Sequence, residues 1–180
     1  HGKSFGKFEN FTLTDWKEDI LYMIDNVAKG PQILIGSSMG GWLMTLAAKY
    51  RSKRIVGLVG LAAAVDFGND LYNNLSLKNK KEIKNNGFTK YIDKDFSYIL
   101  TNKFFLEAKK NNVLKKPLRF KKPVILIHGM RDNVVSQDTP KKLVNLFKSD
   151  NQSIYYLKSS DHSLSKSSDL IIINNVINSL

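Results

Sequence analysis

Apolar positions along the chain follow two rhythms, and their alternation sets the fold class. Between residues 12 and 29, Trp16, Ile20, Met23, Ile24 and Val27 recur at offsets of four, seven, eight and eleven, which gathers them on one face of a helix. Thr12 or Thr14 is placed to cap that helix, and Gly30-Pro31 stops it. Gln32 to Ile35 is a short apolar run ending at a glycine, as expected of a strand covered on both faces. Helical spacing resumes from Gly41 to Tyr50, with Leu43, Leu46 and Ala47 on one side. Ile55 to Leu61 and Val124 to Ile127 are apolar throughout and read as two more buried strands. Thr139-Pro140 opens a helix carrying Leu143, Val144 and Phe147. Ile154 to Leu157 makes a fourth strand, and Ser165 to Leu180 a last helix with Leu170, Ile173, Val176, Ile177 and Leu180 at helical offsets. Strands alternating with helices predict an α/β domain built on a mainly parallel sheet flanked by helices.

The stretch from Asp66 to Pro117 follows neither rhythm. It is polar and lysine-rich, with apolar patches at Tyr91 to Leu100 and Phe104 to Leu106. A segment of that length between strands of a compact domain is usually a lid, so a small helical cap is expected at about 66–118. No repeat or low-complexity linker divides the chain, and its length and 42% hydrophobic content suit one domain over residues 1–180.

Charge adds one question. The 28 Lys and Arg against 16 Asp and Glu give a formal net charge of +12, which would attract polyanions if it were clustered. Lys78, Lys80, Lys81, Lys84, Lys90 and Lys94 are instead scattered among asparagines and isoleucines without interleaved aromatics. They read as solvating surface in a composition typical of AT-rich bacterial genomes, and no nucleic-acid partner is expected. The absence of cysteine excludes disulfides, thiolate catalysis and cysteine-ligated metals. No apolar run approaches the roughly 20 residues of a spanning helix, and a cytoplasmic location is expected.

Candidate chemistry begins at Gly36-Ser37-Ser38-Met39-Gly40, a G-x-S-x-G pattern lying directly after a buried strand and before a helix. In that context the turn is expected to be too tight for side chains at either glycine. It thrusts Ser38 out at the helix N-terminus, where free N–H groups favour developing negative charge. The Met39 N–H is then one oxyanion donor. A serine hydroxyl needs a base, and three histidines are present. His1 starts the chain and His128 closes a buried strand beside Gly129, a structural position. His162 lies in the polar turn Ser159-Ser160-Asp161-His162-Ser163 after the last strand, on the rim that Ser38 should share. His162 is the candidate base. The base needs a carboxylate to fix its tautomer, and Asp132 follows the preceding strand by the short loop Gly129-Met130-Arg131. Asp138 is better explained by the helix that starts beside it, and Asp161 adjoins His162 too closely to reach its far nitrogen. Trp42, beside the elbow, is either core packing or part of an acyl pocket. No metal or organic cofactor is called for.

These residues and their surroundings resemble the α/β-hydrolase superfamily, and within it the group of alpha/beta-hydrolase domain-containing protein 10 and its bacterial relatives. The matching stretches run from Gly30-Pro31-Gln32-Ile33-Leu34 through Gly36-Ser37-Ser38-Met39-Gly40-Gly41-Trp42-Leu43-Met44, then Leu126-Ile127-His128-Gly129-Met130-Arg131-Asp132, then Lys158-Ser159-Ser160-Asp161-His162. The resemblance implies an α/β-hydrolase fold with a small cap. It also implies a serine hydrolase acting on small-molecule or protein-linked acyl esters or thioesters.

His1-Gly2-Lys3-Ser4 resembles the His-Gly-x-Ser that such proteins carry after their fourth strand. Against the family pattern, the early strands and the loop that supplies a second oxyanion donor are therefore expected to be missing, with weak turnover as the consequence. The same framework hosts peptidases, so a serine peptidase is an alternative. From another class, a non-catalytic basic binding module would hold anions and be indifferent to loss of Ser38.

Overall fold

The computed structural model describes residues 3–93 and 96–180. They fall into two compact units, residues 3–18 with 66–112 and residues 19–65 with 113–180.

The second unit is built on a four-stranded sheet in the order β1 (Gln32–Ser37), β2 (Ile55–Leu61), β5 (Val124–Gly129), β6 (Gln152–Leu157), with every pairing parallel. Each lies where the apolar runs place a strand, β2 with the expected bounds and the other three longer by two residues. The helices α2 (Gly40–Tyr50), α6 (Thr139–Leu146) and α7 (Ser167–Asn178) supply the crossovers and covers that a parallel sheet requires. Successive side chains of a strand point to opposite faces. Val59 and Ile127, with Leu61 and Ile125 beside them, pack against Leu164 and against Ile173 and Val176 of α7. On the other face Gly60 leaves room for Leu126 and for Met44 of α2, whose residues Gly41 to Ala48 are all buried. Burying an aliphatic side chain contributes about 1.5–3 kcal/mol. Leu46, Ile55, Leu58, Leu126 and Leu143, all with no more than 1% exposure, therefore anchor the sheet and helices that carry the site.

The helix expected over 12–29 is α-helical only as α1 (Leu13–Tyr22) and continues as a wide π-turn over Met23–Val27. The wider turn buries Ile24 and leaves Met23 and Val27 more than half exposed, so the apolar stripe does not run to its end.

Residues 66–112 belong to the other unit and hold α3 (Gly68–Asn74), α4 (Leu77–Asn86) and α5 (Asn102–Lys110). Between α4 and α5 they also form an antiparallel hairpin, β3 (Phe88–Asp93) with β4 (Phe96–Thr101). Helices alone were expected here. The hairpin escapes the period-two rule because its apolar residues do not mark the buried face: Phe88 and Ile92 are exposed while Thr89 is buried. Local signals fix the helix ends, with Ser76 Oγ accepting from Asn79 N at 3.1 Å, Thr101 Oγ1 from Phe104 N at 3.0 Å, and Gly87 closing α4 at φ +82°. Leu75, Ile83, Leu100 and Phe104 form this unit's core, with Trp16 packed against it.

Candidate active site

Ser38 sits between β1 and α2 with φ +50°, a left-handed conformation that costs a non-glycine residue about 1–3 kcal/mol and persists only where the surroundings impose it. Here they do. Its N–H donates to Leu61 O at 2.9 Å, and its carbonyl accepts from Gly41 N and Ala64 N, both at 2.9 Å. The neighbouring strand and the loop after it thus clamp both backbone groups of the strained residue.

The expectation that both motif glycines avoid a collision is half right. A β-carbon on Gly36 would lie 2.4 Å from Gly40 O, whereas one on Gly40 would meet nothing within 4 Å. The second tight glycine is Gly41, where a β-carbon would stand 2.4 Å from that of Ala63. The helix presses onto the loop after β2 at that point.

Asp132 follows β5 and His162 follows β6, so both stand at the carboxyl edge of the sheet, as Ser38 does. The three side chains meet there. His162 Nε2 is 3.0 Å from Ser38 Oγ, and His162 Nδ1 is 2.8 Å from Asp132 Oδ2. The Asp132 side chain is fully buried and its other oxygen, Oδ1, accepts from Val134 N at 2.8 Å and Val135 N at 2.9 Å. With Oδ1 committed to the backbone, Oδ2 is left to face the imidazole. His162 keeps a quarter of its side chain exposed, so it is open to a reactant on one side and held on the other. The two loops are also tied to each other, since Arg131 N donates to Ser160 O at 2.9 Å. A β-carbon on Gly129 would lie 2.4 Å from that same oxygen.

Met39 is the N-cap of α2, next to Ser38 in the chain, at a helix start where N–H groups have no acceptor within the helix. Trp42 is wholly buried and stands in the core, so it presents no surface to a ligand. The rejected carboxylates lie elsewhere. Asp138 precedes α6 without capping it and pairs with Lys141 at 3.0 Å, which lowers its pKa. Asp161 accepts from Ser163 N and Oγ at 3.0 and 2.6 Å, which lowers its pKa as well.

Two polar groups behind the site go beyond the sequence reading. His128, buried, places Nε2 3.5 Å from Asp132 Oδ2. Ser160 Oγ donates to the buried Asp169 at 2.7 Å, tying the His162 loop to the first turn of α7. A strand-end histidine four residues before an aspartate was the only signal for the first, and nothing local signals the second. Among the described residues no group of three or more His, Asp or Glu side chains is placed to hold a metal ion.

No protein-family model matches the chain. It is 37% identical over 183 residues to "Palmitoyl-protein thioesterase ABHD10, mitochondrial" of Bos taurus, a match covering 99% of this chain and 60% of the relative. The chain thus spans about three fifths of the length of that curated relative. The solved structure of alpha/beta hydrolase domain-containing protein 10 from mouse matches with a TM-score of 0.88 and 31% identity, covering 99% of this chain and 72% of that one. A structure described as a hydrolase from Agrobacterium vitis matches with a TM-score of 0.92 and 28% identity over the same shares. Among the described residues no helix is long and apolar enough to cross a membrane.

Proposed function

The chain belongs to the α/β-hydrolase family, in the group of ABHD10, and on that premise we propose that it is a serine hydrolase cleaving acyl thioesters or esters through Ser38, His162 and Asp132. The observation that carries this reading is the unbroken relay from Ser38 Oγ to His162 Nε2 and from His162 Nδ1 to Asp132 Oδ2, at 3.0 and 2.8 Å.

The relay fixes the order of proton movements. Asp132 accepts from Nδ1–H, which leaves the lone pair of His162 on Nε2, aimed at the serine hydroxyl. Ser38 Oγ bonds to the acyl carbon as its proton passes to Nε2, and the carbonyl electrons move onto oxygen. The Met39 N–H stabilises that oxyanion, a donor of the kind worth about 3–4 kcal/mol to the transition state. Collapse breaks the bond to the thiolate or alkoxide, which takes the proton from Nε2. A water then gives its proton to the same nitrogen as its oxygen bonds to the acyl carbon, and collapse breaks the bond to Ser38 Oγ, which takes that proton from Nε2 as the carboxylic acid leaves. Buried Asp132 stabilises the imidazolium in both halves.

The substrate class follows the relative, which is named for thioesters of palmitoylated proteins. An S-acylated peptide is therefore the first substrate to try, with a simple acyl ester beside it. A cap role for residues 66–118 and a cytoplasmic site of action belong to the same reading, although the named relative is mitochondrial.

A fluorophosphonate probe tests the proposal without knowledge of the substrate. The expected result is a covalent adduct located on Ser38 by mass spectrometry and absent from a folded Ser38→Ala variant. A folded parent chain that gains no adduct, or one that is modified equally after Ser38→Ala, would overturn the reading.

A further inference from the structure

Behind the carboxylate stands His128, whose contacts divide labour between two imidazoles on one acid. We infer that His128 is a positioning residue, whose Nε2–H spans the Val135 carbonyl and the flank of Asp132 Oδ2 and so keeps the carboxylate turned toward His162. This rests on the acyl-transfer reading above.

His128 Nε2 lies 3.1 Å from Val135 O and 3.5 Å from Asp132 Oδ2. Both neighbours are acceptors, so this nitrogen carries the hydrogen. Its other nitrogen, Nδ1, is buried and has no hydrogen-bond partner. A second proton there would create a buried cation with an unmet donor, at a cost of several kcal/mol. Burial accordingly lowers the pKa of His128, against the opposing pull of the Asp132 charge and the Val135 carbonyl. The contact with Asp132 is therefore a neutral donor beside a carboxylate rather than an ion pair, and His162 alone can become the imidazolium.

The positioning is a closed circuit. Val135 N–H donates to Asp132 Oδ1, and the carbonyl of the same residue accepts from His128. The end of β5 is thereby fastened across the Asp132 loop, and rotation of the carboxylate would break contacts at both of its oxygens. The Tyr156 ring stands edge-on to His128, with 6.4 Å between centroids.

The test measures the second-order rate of fluorophosphonate labelling at Ser38 in the parent and three variants, with folding checked by circular dichroism and thermal unfolding. His128→Gln carries an amide N–H to nearly the same place as Nε2 and is expected to label close to the parent rate. His128→Phe keeps the ring without the donor, and His128→Asn keeps the amide without the reach; both are expected to label about ten-fold or more slowly, the cost of a small misplacement of a reacting group. Should His128→Phe fail to fold, the Gln against Asn comparison decides alone. Equal labelling of parent and donor-less variants, or equal loss in His128→Gln and His128→Asn, would overturn the inference while leaving the serine hydrolase standing. A parent chain that does not label would instead overturn the hydrolase reading and take this inference with it.

Discussion

A β-carbon at position 36 would lie 2.4 Å from a backbone carbonyl, one at 41 would lie 2.4 Å from the Ala63 methyl, and one at 40 would meet open space. The motif that drew attention to Ser38 thus contains one glycine that space demands and one that it does not, and the second demanding glycine lies just outside it. The requirement at Gly41 comes from the loop after β2, more than twenty residues away, and no local pattern carries it. Positions 40 and 41 should separate in stability. Gly40→Ala, at the first position of α2 and without positive φ, is expected to stabilise by about 0.5–1 kcal/mol through the unfolded state. Gly41→Ala is expected to cost about 1–3 kcal/mol, since the helix must move off the loop. Urea unfolding of the two variants beside the parent measures the difference. Equal effects of the same sign would mean that the close approach at Gly41 is not rigid.

At the scale of elements, the strands of the parallel sheet were legible because each contains a short apolar run of strand length. The helix α2 was legible because its stripe follows the tight turn at once. The hairpin within 66–112 was not, since its polarity does not alternate, and neither was the bond between Ser160 and Asp169, whose partners lie nine residues apart in a loop and a helix. That bond holds the segment bearing His162. Asp169 is 2% exposed, and its Oδ2 has no hydrogen-bond partner, so the Ser160 hydroxyl is the principal group compensating a buried carboxylate, with Ser168 Oγ more distant at 3.4 Å. Ser160→Ala is therefore expected to destabilise by about 1–3 kcal/mol, the cost of leaving a buried acceptor unmet. Denaturant unfolding checks this, and a loss below a few tenths of a kcal/mol would show that water replaces the hydroxyl freely.

For the molecule as a whole, the candidate site was legible because the topology that brings Ser38, Asp132 and His162 to one rim follows from strand order. All three follow strands of one parallel sheet, so their loops emerge on the same side however far apart they lie in the chain. The electrostatic surroundings of that rim were not legible, since burial of His128 depends on what packs around it. It has a global consequence that the site alone does not reveal. Folded His128 resists protonation, with Asp132 and Val135 O favouring the charged form, and burial and His162 opposing it more strongly. Unfolded, it titrates near its ordinary value of 6.5. Below that value the unfolded chain binds a proton that the folded chain refuses, so stability falls as pH falls, by at most about 1.4 kcal/mol per unit. Carboxylates with lowered pKa, such as Asp15 under its hydrogen bonds from Thr12, lose their contribution in a lower window, below about pH 4. Between pH 7 and 5.5 the parent should therefore lose up to about 1 kcal/mol that His128→Gln does not lose, because glutamine has no proton to gain. Urea unfolding of both proteins at the two pH values isolates the term. Parallel losses would mean that His128 takes a proton in the folded state, and the division of labour between the two imidazoles on Asp132 would fall with it.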